Sequence, residues 1–192
     1  MKKTILSIVV AALCLFLSVK GQDAAIELKP IRIGEVIPPA IWNAPFKTVG
    51  AKGIGSTLKL SDYADKLIIL DFWATYCKPC IASLDYLYSI RDQFKDRVVV
   101  IPVQVYNNAD GAIPFMKKKG WTWRSITADT TLNKVMLAHY LTGFGSAWIK
   151  EGRLLAVPSK RYLHADTISK ILKGSPVAFE NRTAYRKTNQ TN

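Results

Sequence analysis

Cysteine is scarce in this chain of 192 residues, with three in all, beside two histidines and three methionines. A structural zinc site takes four ligands, usually two cysteine pairs or cysteines with nearby histidines. Here Cys77 and Cys80 form one close pair, and His139 and His164 stand isolated in sequence. Zinc ligation is therefore disfavoured. Covalent haem needs a histidine directly after the second cysteine, and Ile81 occupies that place. Acidic residues are also few, 14 against 27 Lys and Arg, for a net charge of +13. That charge is spread rather than blocked, which reads as a cationic surface that aids solubility; attraction to an anionic membrane surface or to acidic partners is the other reading. No internal repeat and no nucleic-acid recognition motif is present, so nucleic acid is a poor partner.

Long apolar runs are few as well. Ile5 to Val19 is broken only by Ser7, Cys14 and Ser18. It falls short of the about 20 residues that a membrane-spanning helix needs. Lys2 and Lys3 precede it, and Gly21, Gln22 and Asp23 follow. That is the layout of a secretory signal peptide, here residues 1–21, with a retained membrane anchor as the alternative. Cys14 lies mid-run without a small residue just before it, which argues against a lipoprotein site. Removing 1–21 takes away Lys2, Lys3, Lys20 and Cys14, lowering the net charge to +10 from the +13 of the whole chain. Export, to the periplasm or cell envelope, places the remaining cysteine pair where disulfides form. A disulfide closing so small a loop staples little of the chain. Redox chemistry is the better reading of the pair.

Hydrophobic residues make up 49% and charged residues 21%, which suits one globular domain with a real core. Residues 22–45 carry Pro30, Pro38, Pro39 and Pro45 and read as an extended leader on the domain surface. Phe46–Val49 against Thr57–Leu60 reads as a hairpin, followed by a short turn or helix at Ser61–Ala64. Leu67–Trp73 is apolar except for Asp71, as in a central strand buried on both faces. Apolar residues at Ile81, Leu84, Leu87, Tyr88 and Phe94 place an amphipathic helix over 78–94. Val98–Val105 reads as a second buried strand, Ala112–Lys119 as a helix stopped by Gly120, and Arg124–Thr127 as a short strand. Leu132–Tyr140 reads as a helix with Asp129 and Thr130 as caps. Ser146–Ile149 and Arg153–Val157 form a hairpin turning at Glu151-Gly152. Asp166 caps a last helix ended by Gly174, and 175–192 reads as a loose, polar, basic tail. The order implies an α/β domain over 46–174 with a mixed sheet of four or five strands and an antiparallel edge.

A Cys-x-x-Cys that follows a buried strand and opens a helix has a mechanical logic. Unpaired amides and the helix dipole favour a negative charge on the first sulfur. Cys77 is thus the expected nucleophile, and Cys80, one turn on, the resolving thiol. Pro79 fits the first helical turn, where its missing amide costs nothing. Lys78 adds a nearby positive charge. Asp71 is costly to bury as an anion, so its pKa is expected to rise, and it is placed to move the proton of Cys80. A half-exposed strand-end aspartate is the plainer alternative.

Leu70-Asp71-Phe72-Trp73-Ala74-Thr75-Tyr76-Cys77-Lys78-Pro79-Cys80 resembles the thioredoxin active-site segment, with acid, tryptophan and cysteines in one register. The exported context, the leader and Trp148-Ile149 before Gly152 resemble the TlpA/ResA-like branch, over residues 31–174. The resemblance implies a thioredoxin-like fold, a central mixed β-sheet flanked by helices. It implies dithiol–disulfide exchange with protein substrates, as a reductant, by a monomer that needs no cofactor and trades electrons with a membrane redox partner. Cys77, Cys80 and Asp71 would be catalytic. Trp73, Tyr76, Lys78 and Pro79 would face substrate. Two departures stand out. The family's cis-proline loop here reads Thr142-Gly143-Phe144-Gly145-Ser146, so Gly143 or Phe144 takes that place in the substrate groove. Ser83 stands where some ResA-like members carry a glutamate, which leaves the acid function to Asp71. The Pro-x-x-x-Thr/Ser-x-x-Cys signature of peroxiredoxins is missing. The rival class is a binding or scaffold protein on the same fold, with the cysteines incidental or regulatory.

Overall fold

The computed structural model describes residues 28–106, 109–140 and 144–180. The expected signal segment, the start of the leader, Gly143 and residues 181–192 lie outside the described residues.

Strand β3 (Leu67–Trp73) lies in mid-sheet with every residue buried. It pairs in parallel with β4 (Val98–Val105) and antiparallel with β6 (Gly145–Lys150). Strand β5 (Ser125–Asp129) pairs in parallel with β4, and β7 (Arg153–Ala156) pairs antiparallel with β6. Strands β1 (Thr48–Gly50) and β2 (Gly53–Ile54) extend the far edge, giving a seven-stranded order β2-β1-β5-β4-β3-β6-β7. The expected four or five strands are thus too few. The hairpin forms with shorter arms than expected, Thr48–Gly50 against Gly53–Ile54 with an isolated Phe46–Leu58 bridge, and joins the sheet by setting Thr48 and Val49 against Ile126 and Ser125. That long-range pairing has no local signature.

Helices α1 (Pro39–Trp42), α2 (Lys78–Ile90), α3 (Ala109–Lys119), α4 (Leu132–Leu137) and α5 (Ala165–Leu172) cover the sheet. Alternation along β3 splits the core. Ile68, Leu70 and Phe72 enter one cluster with Ile101, Val103 and Met136. Leu67 and Ile69 meet Leu87 and Ile90 of α2, and Trp73 meets Cys80 and Leu84. By the same period, Asp71 faces α2. Asp129 supports α4 by accepting the amides of Leu132 (2.9 Å) and Asn133 (2.8 Å). Glu151 and Gly152 both take positive φ, 53° and 69°, as the two-residue turn between β6 and β7 requires.

Three local expectations need correction. The leader is not confined to the surface: Ile31, Ile37 and Ile41 are buried in the main core, and the amide of Ile37 bonds the Gly152 carbonyl at 2.8 Å. Asp166 does not cap α5. His164 holds that position without a side-chain bond, and Asp166 lies in the first turn, where the helix dipole favours an acid. The start of the tail is docked rather than loose. Phe179 packs on Trp148 and Tyr162, and the Tyr162 hydroxyl donates to the Ala178 carbonyl (3.0 Å) and accepts the Glu180 amide (2.9 Å). An aromatic shelf built from distant segments holds it.

Candidate active site

Strand β3 delivers the chain to the site, and Ala74–Tyr76 turn it into α2. The Cys77 amide bonds the Ala74 carbonyl at 3.0 Å. Cys77 then occupies the N-cap of α2, with Lys78 and Pro79 opening the helix. The Cys77 carbonyl accepts the amides of Cys80 (2.9 Å) and Ile81 (3.0 Å). Pro79 has no amide to leave unpaired in this turn. Cys77 and Cys80 are joined as a disulfide, with Cα atoms 5.3 Å apart. Both residues are buried, Cys77 at 9% exposure and Cys80 at 3%.

Asp71 is 2% exposed. Its carboxylate accepts a hydrogen bond from the Ser83 hydroxyl at 2.5 Å. Burial pushes the Asp71 pKa up from 3.8 to about 7, against the smaller downward pulls of the Ser83 bond and the Lys160 ammonium. Register explains the contact: Ser83 lies three residues after Cys80 on α2, so both face the strand below. Asp71, Cys80, Ser83, Ser146 and Lys160 line one narrow cleft. The buried Asp71 and Cys80 thus line the same small space.

Around the sulfurs, the expected contact residues divide. Lys78 and Pro79 are exposed. Tyr76 is 63% exposed, with its ring edge-on to Phe144 at 6.2 Å. Phe144 in turn meets Tyr106, which is 69% exposed. Gly143 lies outside the described residues. Trp73 does not belong with this group. It is fully buried, packs tilted against Phe115 and edge-on against Trp121, and donates its indole N–H to the Ser125 hydroxyl at 3.0 Å. As the last residue of β3 it alternates inward, under α2, and cannot touch a client. His139 and His164 are partly or fully exposed, away from the cleft lining. An apolar hollow of about 220 Å³ lies elsewhere, against Leu87, Ile90, Phe94 and Trp123 at the other end of α2.

Sequence reasoning missed Lys160, which the turn after β7 brings to the cleft, and Tyr106, which joins the aromatic rim. Neither has a local signal. Ser83 was legible only as a departure, and its hydrogen bond to Asp71 was not foreseen.

A family model described as Redoxin matches residues 41–180. The chain is 31% identical over 100 residues to the thiol-disulfide oxidoreductase ResA of Oceanobacillus iheyensis, covering 52% of this chain and 48% of the relative. It is 33% identical over 67 residues to ResA of Bacillus subtilis, covering 34% and 37%. The matched stretch therefore spans about half or less of these curated relatives. Among solved structures, a thiol:disulfide interchange protein from Bacteroides sp. superposes with TM-score 0.55 at 19% identity, covering 78% of this chain and 94% of that one. A Xylella fastidiosa PrxQ mutant superposes with TM-score 0.58 at 20% identity, covering 75% and 97%. Both share the fold. With the family model spanning most of the described residues, the chain belongs to the Redoxin family.

Proposed function

We propose that this protein is an exported thiol–disulfide oxidoreductase that reduces disulfides in protein substrates through Cys77 and Cys80. One observation carries the reading: a close cysteine pair caps a helix start while a buried carboxyl shares a cleft with its second sulfur. The ResA relatives are named for thiol–disulfide chemistry, which supports it.

In the dithiol form, the start of α2 stabilises the Cys77 thiolate. That thiolate attacks one sulfur of a client disulfide. A mixed disulfide forms, and the other client sulfur leaves as a thiolate and takes a proton from solvent. Asp71, as a carboxylate, accepts the proton of Cys80. The Cys80 thiolate then attacks the Cys77 sulfur, and the second client sulfur leaves as a thiolate and takes a proton from solvent. The protein ends as the Cys77–Cys80 disulfide, and two electrons have passed to the client. Asp71 finally releases its proton to solvent. A membrane redox partner outside the cytoplasm would restore the dithiol.

The exposed Tyr76, Lys78 and Pro79 and the half-buried Phe144 form the rim that a client meets. No cofactor is needed for these steps, and the protein acts as a monomer. Among the described residues, no helix is long and apolar enough to cross a membrane.

Insulin reduction with dithiothreitol tests the reading. Wild type should accelerate it and Cys77→Ser should abolish the acceleration. A wild type without turnover, whose client binding survives Cys77→Ser, would instead identify a scaffold. The direction is read from the potential of the pair: near −270 mV for a reductant, near −120 mV for an oxidant.

A further inference from the structure

Asp71 is enclosed by several elements. Helix α2 brings Ser83 and Cys80, β6 brings Ser146 in register, β4 brings Pro102 in register, and the segment after β7 brings Pro158, Lys160 and Leu163. Cys80 titrates once the disulfide is reduced. Lys160 is the cationic residue among those lining the cleft. Nearby, Lys78 is exposed at the start of α2, and Arg161 is held by Glu180 and by the Tyr162 hydroxyl. His164 lines the neighbouring open groove with Pro79 and Tyr86 rather than the cleft itself.

Lys160 also reaches the redox turn. Its ammonium donates a hydrogen bond to the carbonyl of Pro79, between the two cysteines. One side chain therefore touches the Cys77–Cys80 turn and lies across the cleft that contains Asp71. A cation there favours the charged form of the acid and so its ability to take a proton from Cys80.

We propose that Lys160 is a positioning residue of the redox site, clamping the Cys-x-x-Cys turn through the Pro79 carbonyl and providing the positive charge against which Asp71 ionises. This rests on the oxidoreductase reading for its consequence in turnover, but not for its electrostatics. The arrangement leaves the acid buried enough to hold a proton near neutrality and charged enough to give it up. Lys160 also lines the groove beside Pro79, so the clamp sits where a client approaches.

The test uses the full chain and two variants, Lys160→Met and Lys160→Arg. Lys160 is exposed, so neither disturbs the core. The Asp71 carboxyl is titrated by carbon NMR in the oxidised protein, with Asp71→Asn identifying its signal. Insulin reduction is measured against pH in parallel. For Lys160→Met, the Asp71 midpoint should move up by about half a pH unit. Reduction at pH 7 should fall about twofold, the corresponding change in ionised fraction, and recover at pH 9. Lys160→Arg should restore both. An Asp71 midpoint in Lys160→Met that matches wild type, in a protein that reduces insulin, overturns the inference. A midpoint that moves as stated in a protein without insulin turnover would uphold the Lys160 contact and count against the oxidoreductase reading.

Discussion

Replacing Asp71 with asparagine isolates the energetic consequence of burying an acid under the cysteine pair. The side chain keeps its shape and still offers an oxygen to the Ser83 hydroxyl, but it cannot ionise. In the folded protein the Asp71 pKa is about 7, against 3.8 for an unburied aspartate. Between those values the folded state binds a proton that the unfolded chain has released. Stability from this group is fully present below pH 3.8 and is lost as pH rises through 7. At about 1.4 kcal/mol per pKa unit, the whole loss is roughly 4 kcal/mol. Because Asp71 is buried, solvent screening removes little of it. Between pH 5 and pH 8 the stability of Asp71→Asn relative to wild type should therefore grow by about 3 kcal/mol. Urea denaturation of the two oxidised proteins at pH 5, 6, 7 and 8 measures this. With a slope of about 1–3 kcal/mol per molar, the gap between midpoints should widen by about 1–3 M over that range. Other titrating groups cancel in the comparison. A gap that stays constant with pH would refute the buried-acid argument, and with it the proton acceptor for Cys80.

Ile41→Ala should destabilise the protein by about 2–5 kcal/mol in urea or thermal unfolding, because Ile41 is buried in the main core; a cost near zero would return residues 28–45 to the surface role expected of a leader. Trp73→Phe should lower stability by about 1–3 kcal/mol through the lost bond to Ser125, and leave the KM for a client disulfide unchanged in steady-state assays. Tyr76→Ala should do the reverse, raising that KM several-fold with little change in the unfolding midpoint, since the ring is mostly exposed. Phe179→Ala should release the docked tail at a cost of about 1–3 kcal/mol, with faster proteolysis of the C-terminal segment as the direct readout.

The strands and the helix that frame the site were legible because their information is local. Leu67–Trp73 and Val98–Val105 announced themselves as apolar runs, and both strands have those bounds. The Cys77–Cys80 pair announced a helix start through its proline and its place after a strand, and α2 begins there. Asp71 was legible for the same reason, as one acid in an apolar run. Period two along β3 then decides its face, so an acid beneath the cysteines followed from counting. The same counting, applied to Trp73, would have turned its ring inward and kept it out of the contact rim.

What the sequence alone determined, then, is the segment that frames the site: which cysteine caps the helix, which follows one turn on, and which acid lies beneath. Only the tertiary structure decided that acid's company. Lys160 stands 81 residues from the Pro79 carbonyl it holds. β1 reaches β5 across 76 residues, from Val49 to Ser125. The leader isoleucines enter a core assembled from segments throughout the chain. Periodicity reports how each stretch divides its own faces between apolar and polar surroundings. It carries no record of which distant face will cover it, because that choice is made by the packing of all the elements at once.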